Sequence, residues 1–476
     1  MTQTDVQQAP PVDLFGDMHP YRDLFEIFAA LPPKGLDEEE VFSVLEAVAA
    51  AENRTWETGQ VSGTMYHGGK DHYAFLNRVF GLFSHANLLQ RDMCPSGTKF
   101  ESEITSMVAK MLHGDAVTQH NPDDEVSGTV TSGGSESISN AMYVYREWAR
   151  AEKGITQPQM IAPDTIHPAF RKAAHYFGIN LIRVPVNQGY EADVEAMAAR
   201  INPNTIALAA SAGNYPHGVV DPISRLSDLA LAHGIGLHVD GCLGGFILPW
   251  IEKLGHDVPV FDFRLPGVTS ISCDTHKFGY ALKGTSTVLY RNPRLRRYQY
   301  FEVTDWQGGM YASPTSQGSR SAGLTAATWA AMVTMGEEGY LQAARAIMTA
   351  ADKIRAGVAT IPELQLVGKS TFLIALTSDA VDIYHVNDYL AMKGWRMNGL
   401  QSPPGFHFCM TLPQAKPGVA ERFVGDLRAA VEYAKHPAQP EPKSGGVYGL
   451  AASSDGRAWL DGMMLDWLDA TYCLPG

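Results

Sequence analysis

Hydrophobic residues recur at three- and four-residue steps between Asp37 and Ala51, where Val41 and Leu45 share one face. An acidic first turn precedes them, so the pattern predicts an amphipathic helix. Residues 1–15 are polar and contain proline, and they predict a loose arm. The stretch VSGTMYHGGKDHY, which begins at Val61, is rich in glycine, histidine and tyrosine and predicts a surface loop.

A different pattern runs from about Glu125 to Asn292, where short β-rich runs alternate with helical periodicity. Strands are predicted at 126–131, 179–186, 206–210, 237–240, 270–273 and 286–290, and helices at 135–150, 193–201 and 221–233. The last of these helices is predicted to start at an N-cap Asp221, with Pro222 in its first turn, and to end at Gly234. Strands spaced by helices indicate a mostly parallel sheet that is covered on both faces.

Beyond Gly323 the pattern becomes a long alanine-rich helix from Leu324 to about Val358, followed by strand-like runs at 371–377 and 406–412. These features predict a smaller α+β unit. We therefore expect an N-terminal arm and helical segment at residues 1–105, a large α/β domain at 106–335 and a small α+β domain at 336–476.

The amino-acid composition of the chain argues against several classes of binding partner. The chain has 37 Lys+Arg against 51 Asp+Glu, and its formal net charge is −14. Because nucleic-acid binding needs a basic face, this balance argues against such a partner. The five scattered cysteines form no CxxC pair and the histidines lack metal-ligand spacing, so we expect neither a disulfide framework nor a metal. No clean run of ~20 apolar residues is present, and we expect a cytoplasmic protein without a membrane anchor.

The string TSGGSES, from Thr131 to Ser137, lies at a predicted strand-to-helix junction. Its glycines let the backbone approach a ligand closely, and the free N–H groups at the start of a helix favour an anion such as a phosphate. For this string alone, an ordinary tight turn with Ser135 as the N-cap is an equally good interpretation.

Two further strings place reactive side chains at strand ends. Asp240 ends the apolar run in GLHVDG, and Lys277 follows the next strand in SISCDTHKFGYALKG. A carboxylate at the edge of an open α/β sheet is typical of a ligand site, although it can also cap a turn. A lysine in a partly apolar pocket can lose its proton and attack a carbonyl, although an isolated lysine at a strand end is more often a surface residue. Lys283 is a second candidate cation for the same cleft.

One cofactor, pyridoxal phosphate, needs a phosphate turn, a carboxylate and an amine nucleophile together. Its aldehyde forms a Schiff base with a lysine, and a nearby carboxylate keeps its ring nitrogen protonated. A nucleotide-binding P-loop needs a lysine directly after its glycines, and the string TSGGSES has none. The three strings together predict a pyridoxal-phosphate enzyme.

The strings VSGTMYHG, TSGGSES, NYPHGVVDPI, HVDGCLGGF, DTHKFGYALKG and GGMYASPTSQGSR together resemble the group II decarboxylase superfamily of pyridoxal-phosphate enzymes. The first and fifth strings are similar to its lyase branch, the sphingosine-1-phosphate lyases. The resemblance covers the chain from Ser62 to about Leu450. It implies an α/β, fold-type I (aspartate-aminotransferase-like) architecture with a central, mostly parallel, seven-stranded sheet.

The resemblance also implies roles for single residues in a cofactor site. Lys277 matches the Schiff-base lysine, Asp240 the partner of the pyridinium nitrogen, and His167 the histidine stacked on the ring. Ser319 resembles a residue that reaches the cofactor phosphate from the second subunit of a homodimer. The implied cofactor-binding residues are Gly134, Ser135, His167, Asp240, His276, Lys277 and Ser319.

The implied substrate-binding residues are Tyr66, Asn87, Gln90 and Lys283. Tyr66 and Asn87 resemble residues lent across the same dimer interface, and Tyr215 lies where the family has a tyrosine near the reacting carbons. The family has a histidine where this chain has Gln90, which can donate a hydrogen bond but cannot become cationic. The neighbouring Arg91 is a candidate replacement for that charge.

The resemblance implies a retro-aldol cleavage of the C2–C3 bond of a phosphorylated amino-alcohol lipid, with Lys277, Tyr215 and Tyr66 as catalytic candidates. The base that removes the proton from the C3 hydroxyl stays open among Tyr215, Tyr66 and the substrate phosphate. An amino-acid decarboxylase acting on tyrosine, glutamate or aspartate is the alternative activity. A binding protein that keeps the fold without the chemistry is a third interpretation, and the intact Lys277, Asp240 and His167 argue against it.

Overall fold

The computed structural model describes residues 19–448 and 454–474. The arm predicted at residues 1–15 lies outside the described residues. The helices are α1 Glu38–Glu57, α2 Lys70–Phe83, α3 Ser96–Met111, α4 Asp115–His120, α5 Gly134–Lys153, α6 Ala169–Phe177, α7 Val194–Ala198, α8 Ile223–His233, α9 Leu248–Lys253, α10 Pro293–Arg296, α11 Ala322–Val358, α12 Ile383–Met392, α13 Val419–Lys435, α14 Lys443–Tyr448 and α15 Ser454–Tyr472.

A seven-stranded sheet forms the centre of the molecule, in the order β1-β7-β6-β5-β4-β2-β3. Its strands are β1 Ser127–Thr131, β2 Gln159–Pro163, β3 Asn180–Val184, β4 Thr205–Ser211, β5 Gly236–Asp240, β6 Ser270–Cys273 and β7 Ser286–Tyr290. Strand β7 runs antiparallel to both of its neighbours, and the other pairs are parallel. All residues of β4 and β5 are buried, as expected for parallel strands that have helices on both faces. The predicted mostly parallel, seven-stranded α/β sheet is confirmed.

The register of the sheet brings several strand ends to one edge. Ser211 at the end of β4 pairs with Asp240, and Asp240 pairs with Ser272 near the end of β6. Thr131, the last residue of β1, pairs with Ser286 at the start of the antiparallel β7. The segments that follow β1, β4, β5 and β6 therefore leave the sheet on the same side, which is where open α/β sheets bind ligands.

Helix α1 begins where the sequence pattern predicts it, but the predicted N-cap of α8 is wrong. Asp37 caps α1, and its carboxylate accepts a hydrogen bond from the backbone N–H of Glu39 at 3.0 Å. Asp221 does not cap α8. Its carboxylate instead accepts from the backbone N–H groups of Ser211 and Ala192, at 2.7 and 2.8 Å, and burial raises its pKa to about 7. Asp221 thus ties the end of β4 to a neighbouring loop.

The C-terminal unit is built on a four-stranded antiparallel sheet in the order β10-β11-β13-β12. Its strands are β10 Gln365–Leu366, β11 Leu373–Thr377, β12 Asn398–Gln401 and β13 Pro404–Cys409. The preceding strands β8 Phe301–Trp306 and β9 Gly309–Ser313 form a separate two-stranded antiparallel sheet. Helix α11 leads into this unit from the large sheet and is interrupted at Gly336, whose φ of 56° and ψ of 179° are not helical. The domain limits predicted at 105/106 and 335/336 stay predictions.

The N-terminal segment crosses to the C-terminal unit and reaches the edge of the cleft. The hydroxyl of Ser62 donates to the carbonyl of His407 at 3.0 Å, and the N–H of Gly63 donates to the carbonyl of Cys409 at 2.9 Å. The loop predicted from Val61 ends at Gly69, because α2 already begins at Lys70. These contacts place Tyr66 beside the residues that follow β6.

Candidate active site

A cleft of about 360 Å³ opens at the edge where the strand ends meet. It is lined by residues from the glycine turn after β1, from the segment after β2, from the ends of β4 and β5, and from the segment after β6. The sequence-predicted residues that the structure brings together there are Gly134, Ser135, His167, Tyr215, Asp240, His276 and Lys277. The cleft thus collects residues separated by up to about 140 positions in the chain.

The glycine turn before α5 leaves room only for backbone. Gly133 has a φ of 152° and stands at the N-cap position, where it offers no side chain to the first turn of the helix. A Cβ on Gly134 would lie 2.8 Å from Sγ of Cys242 and 2.9 Å from Oδ1 of Asp274. Ser135 lies inside the first turn and is not its N-cap. The N–H of Ser132 donates to Oε2 of Glu136 at 2.6 Å, but among the described residues the N–H groups of Gly134 and Ser135 have no acceptor and are left for an anion, as a phosphate cradle requires.

Replacing Gly134 by alanine is expected to weaken cofactor binding by roughly 10- to 100-fold, because overpacking a close contact costs about 1–3 kcal/mol. Titration of the apo form with pyridoxal phosphate, followed by absorbance, measures the dissociation constant. Gly425→Ala is the matched control, since a Cβ there meets no atom within 4 Å. A Gly134→Ala variant that binds the cofactor as tightly as the Gly425→Ala variant would contradict the cradle.

Lys277 is held by a carboxylate that the sequence reasoning missed. Its Nζ lies 3.0 Å from Oδ2 of Asp274, whose side chain is 2 % exposed. Burial opposes the charge on Lys277, but the neighbouring Asp274 carboxylate outweighs it and the pKa of the lysine lies above its ordinary value. Asp274 therefore opposes the loss of a proton that burial alone would favour for Lys277. Asp274 directly follows β6 as Asp240 ends β5, so the same strand-end argument would have found it.

The electrostatic balance around Asp274 depends on Lys277. Burial alone would raise the pKa of Asp274, but the charge of Lys277 holds that pKa below its usual range. Burial likewise lowers the pKa of His276 and of His167. At neutral pH the cleft therefore contains an ammonium–carboxylate pair flanked by two neutral imidazoles.

Asp240 has a free carboxylate oxygen on the cleft side of the sheet. It is 7 % exposed, and its Oδ1 accepts hydrogen bonds from the N–H of Cys242 at 3.0 Å and the hydroxyl of Ser272 at 3.2 Å. Within the described part of the chain both of these donors use Oδ1, which leaves Oδ2 for a ligand. His167 accepts from the N–H of Ala169 through Nδ1 at 3.1 Å, so its Nε2 carries the proton in the neutral ring.

Tyr66 and Lys283 form a pair at the border of the cleft. The Tyr66 ring packs edge-on against Phe278, with ring centroids 4.9 Å apart, and Nζ of Lys283 lies 4.9 Å from the Tyr66 ring centre. Nζ also donates to the carbonyls of Thr64 and His276, at 3.2 and 3.1 Å. Burial and the charge of Lys277 lower the pKa of Lys283 to about 8.

Asn87, Gln90 and Ser319 lie together but are not among the residues that line the cleft. The side-chain amide of Asn87 donates to Oγ of Ser319 at 2.9 Å, at an exposed position of the single chain. Gln90 is exposed nearby, on the turn that its N–H closes with the carbonyl of Asn87 at 3.1 Å. Arg91 is turned to Glu101 and Thr98, so its charge is already paired.

Residues 19–448 and 454–474 contain neither a metal-binding cluster nor a membrane-spanning helix. No group of three or more His, Cys, Asp and Glu side chains in these ranges is arranged to hold a metal ion. In the same ranges no helix has the length and apolar character needed to cross a bilayer.

The fold and the cleft define a pyridoxal-phosphate enzyme of fold type I. The family model described as the pyridoxal-dependent decarboxylase conserved domain matches residues 22–374. The solved structure of glutamate decarboxylase from Lactobacillus brevis superposes with a TM-score of 0.73 over 90% of this chain and 99% of that one, but at 20% identity it shows the fold alone.

Relatives of higher sequence identity show to which branch of this family the chain belongs. Sphingosine-1-phosphate lyase from Arabidopsis thaliana is 44% identical, over 93% of this chain and 81% of the relative. The corresponding lyase from Saccharomyces cerevisiae is 39% identical, over 94% and 76%. The solved structure of sphingosine-1-phosphate lyase from Burkholderia pseudomallei is 49% identical and superposes with a TM-score of 0.90 over 96% of this chain and 100% of that one. The chain belongs to the sphingosine-1-phosphate lyase family within the pyridoxal-dependent decarboxylases.

Proposed function

We propose that this chain is a pyridoxal-phosphate-dependent carbon–carbon lyase that cleaves the C2–C3 bond of a phosphorylated sphingoid base. The products are a long-chain aldehyde and phosphoethanolamine. The observation that carries the proposal is the 49% identity and the TM-score of 0.90 to a lyase of that specificity, compared with 15–20% identity to the amino-acid decarboxylases of similar fold. Family relatives at 39–44% identity support the same activity.

The residues of the cleft fit pyridoxal 5′-phosphate. The turn at Gly133 and Gly134 is closed to side chains and suits the phosphate, and the free oxygen of Asp240 suits the protonated ring nitrogen. Lys277 supplies the amine that holds the aldehyde, and His167 supplies a flat, neutral ring. When bound, the cofactor accepts the electron pair that the broken carbon–carbon bond leaves on C2.

Asp274 controls the protonation state of the Lys277 amine. It stabilises the protonated amine whenever Lys277 is free, and a protonated lysine beside the reacting carbons is a proton donor. We infer that Asp274 keeps Lys277 charged between its release and its return, so that the lysine can deliver a proton to C2. The neutral form, which attacks carbonyls, becomes available when that proton leaves.

The environment of Tyr66 argues against this residue as the base that removes the proton from the C3 hydroxyl. Burial, the Cys409 thiol and the charge of Asp274 raise the pKa of Tyr66 well above that of a free phenol. A phenol in that state donates hydrogen bonds and does not remove protons at neutral pH. We therefore propose Tyr66 as a donor to the substrate, and Tyr215 or the substrate phosphate as the base.

We also propose a homodimer whose subunits lend residues to each other's cleft. Gln90 and Ser319 are exposed in the single chain, Asn87 is half-buried beside them, and none of the three lines the cleft of its own chain. Their resemblance to residues that the family lends across its dimer interface supports a role for them in the cleft of the partner subunit. Tyr66, in contrast, lies beside the cleft of its own chain, packed on the residue that follows Lys277. The cytoplasmic location stays a prediction.

Lys283 is the proposed cation for the substrate phosphate, because Gln90 is neutral and Arg91 is paired with Glu101. The pKa of Lys283 is lowered to about 8, so its charge is complete below pH 7 and is lost as the pH rises through 8. A phosphate monoester is already ionised in this range, since its second pKa is about 6. The Michaelis constant for the phosphorylated substrate is therefore expected to rise above pH 8.

Steady-state kinetics of the wild type and of Lys283→Arg between pH 6.5 and 9.5 test this expectation. An arginine stays charged over the whole range, so the ratio of the wild-type to the variant Michaelis constant is expected to climb above pH 8. The comparison cancels the titration of the substrate amine, which is common to both proteins. A ratio that stays flat across the range would remove Lys283 from phosphate recognition.

Product analysis separates the lyase from the alternative decarboxylase. The holoenzyme is incubated in parallel with sphingosine-1-phosphate, with unphosphorylated sphingosine, and with tyrosine, glutamate or aspartate. The proposal predicts aldehyde and phosphoethanolamine in equal amounts from the first substrate, and neither product from sphingosine. Carbon dioxide released from an amino acid without any aldehyde from the lipid would overturn the lyase and favour the decarboxylase.

A further inference from the structure

A buried ion-pair cluster lies beneath the two segments that carry Asn87 and Ser319. Glu101 of helix α3 accepts hydrogen bonds from the guanidinium groups of both Arg320 and Arg91. The side chains of Arg320 and Glu101 are only 7% and 11% exposed. A buried charge is strongly unfavourable without its partner, so this pair allows one arrangement of the chain around it.

Arg320 joins three separate segments of the chain. Its Nη1 contacts Glu101 and also lies 3.4 Å from the carbonyl of Val130 in β1, the strand that leads into the glycine turn. Its backbone N–H donates to Oδ1 of Asn87 at 3.1 Å, and its carbonyl accepts from the N–H of Leu88 at 3.0 Å. These contacts therefore tie the segments around 87 and 320 to each other, to α3 and to β1.

The same contacts fix the orientation of the Asn87 amide. Its Oδ1 accepts from the N–H groups of Leu89 and Arg320, at 3.0 and 3.1 Å, which leaves its Nδ2 to donate to Oγ of Ser319. Because the Ser319 oxygen accepts this bond, its own O–H is free to donate to an anion. The Ser319 hydroxyl and the second N–H of the Asn87 amide are thus left as donors beside each other.

We propose that Glu101 and Arg320 are positioning residues for the partner subunit's cleft, because they hold Asn87 and Ser319 in the geometry that the partner uses. The proposal rests on the proposed function and its homodimer. The proposal predicts which of the two active sites is affected, and we call this the direction of the effect. The loss of Glu101 in one subunit harms the active site of the other subunit and leaves the active site of its own subunit intact. A residue that only stabilised its own fold would not show this direction.

Heterodimers with one surviving Lys277 test the direction. The two subunits carry different affinity tags, and the mixed species is isolated through both. In the first heterodimer one subunit carries Lys277→Ala and the other Glu101→Gln, so the surviving site receives its lent residues from a subunit with intact Glu101. In the second, one subunit carries both substitutions and the other is wild type, so the surviving site receives them from the altered subunit.

The first heterodimer is expected to match the reference made of one wild-type and one Lys277→Ala subunit. The second is expected to lose roughly 100-fold in kcat/KM, since a displacement of about 1 Å in a positioned group can cost that much. Both heterodimers contain one Glu101→Gln subunit, so a general loss of dimer stability lowers them equally, whereas damage confined to the altered subunit lowers the first alone. Equal activities, or loss in the first heterodimer alone, would overturn the proposal.

Cofactor affinity at the surviving site gives a second readout that does not depend on the substrate. Ser319 is proposed to reach the cofactor phosphate of the partner, so the second heterodimer is expected to bind pyridoxal phosphate more weakly than the first. If the reference heterodimer cleaves no lipid, the proposed function fails, and the order of the two cofactor dissociation constants still decides the direction. Equal constants in that case would overturn the positioning role.

Removal of one member of a buried ion pair can cost about 3–5 kcal/mol, and the Glu101→Gln subunit can then fail to fold. Arg320→Lys is the substitute in that event, because it keeps the charge beside Glu101 but loses the fork that also reaches Val130. The same order of the two heterodimers is expected with this variant. Thermal unfolding of both mixed species is the control, and their midpoints are expected to coincide.

Discussion

Replacing Lys277 by alanine is expected to reduce kcat for lipid cleavage by roughly 10⁴-fold, the upper range for loss of a group that transfers protons in the transition state. The variant loses the amine that holds the cofactor aldehyde, and it loses the protonated side chain that Asp274 maintains beside the reacting carbons. Steady-state rates of aldehyde formation measure the effect.

Lys369→Ala is the control for the Lys277 variant. Lys369 is a surface lysine with an 83%-exposed side chain that pairs with Asp257 at 2.7 Å, far from the cleft in sequence and outside its lining. Its loss is expected to leave kcat unchanged within about twofold, because an exposed ion pair contributes little to stability and this one does not touch the cleft. A Lys277→Ala enzyme with a rate near that of Lys369→Ala would place the chemistry elsewhere.

The second large effect is expected at Asp240. Asparagine has the same shape but no negative charge, so it cannot favour the protonated ring nitrogen that makes the cofactor an electron acceptor. We expect Asp240→Asn to lower kcat by roughly 10²–10⁴-fold, with a smaller change in the Michaelis constant. Because both present hydrogen bonds to Asp240 use Oδ1, the amide oxygen can keep them and the fold is expected to survive.

Asp257→Asn is the matched control for Asp240, since it makes the same change at an 82%-exposed position. Kinetics of the two variants separate a local charge effect from a general effect of one lost carboxylate. An Asp240→Asn enzyme that keeps kcat within about tenfold of the control would show that the ring nitrogen does not depend on this residue.

The parts of the fold that follow from local pattern could be predicted. Strands β4, β5, β6 and β7 are short runs of wholly buried residues, and their sequence signal matched their limits within one or two residues. The pair of exposed strands β8, Phe301–Trp306, and β9, Gly309–Ser313, was missed because charged residues and glycines interrupt the pattern there. Strand β2, Gln159–Pro163, was missed because it is short and ends in proline.

Some residues of the candidate site could likewise be predicted from the sequence, and others could not. Asp240 and Lys277 could be found because each stands directly at or after a strand end, and parallel strands bring their ends together. The partner of Arg320 could not be found, because Glu101 and Arg320 meet across 219 positions of the chain. The misplaced cap at Asp221 has a similar cause: its carboxylate bonds to a residue 29 positions away and not to its own helix.

The assignment of Lys277 as the residue that holds pyridoxal phosphate is the central claim, since the roles of Asp274, Asp240 and the glycine turn all depend on it. Reduction of the holoenzyme with borohydride, digestion and peptide mass spectrometry test it most directly. The account predicts a reduced cofactor adduct on the peptide that contains Lys277, with none in the Lys277→Ala variant. Recovery of the adduct on another lysine, or no adduct on the peptide of a fully loaded enzyme, would contradict it.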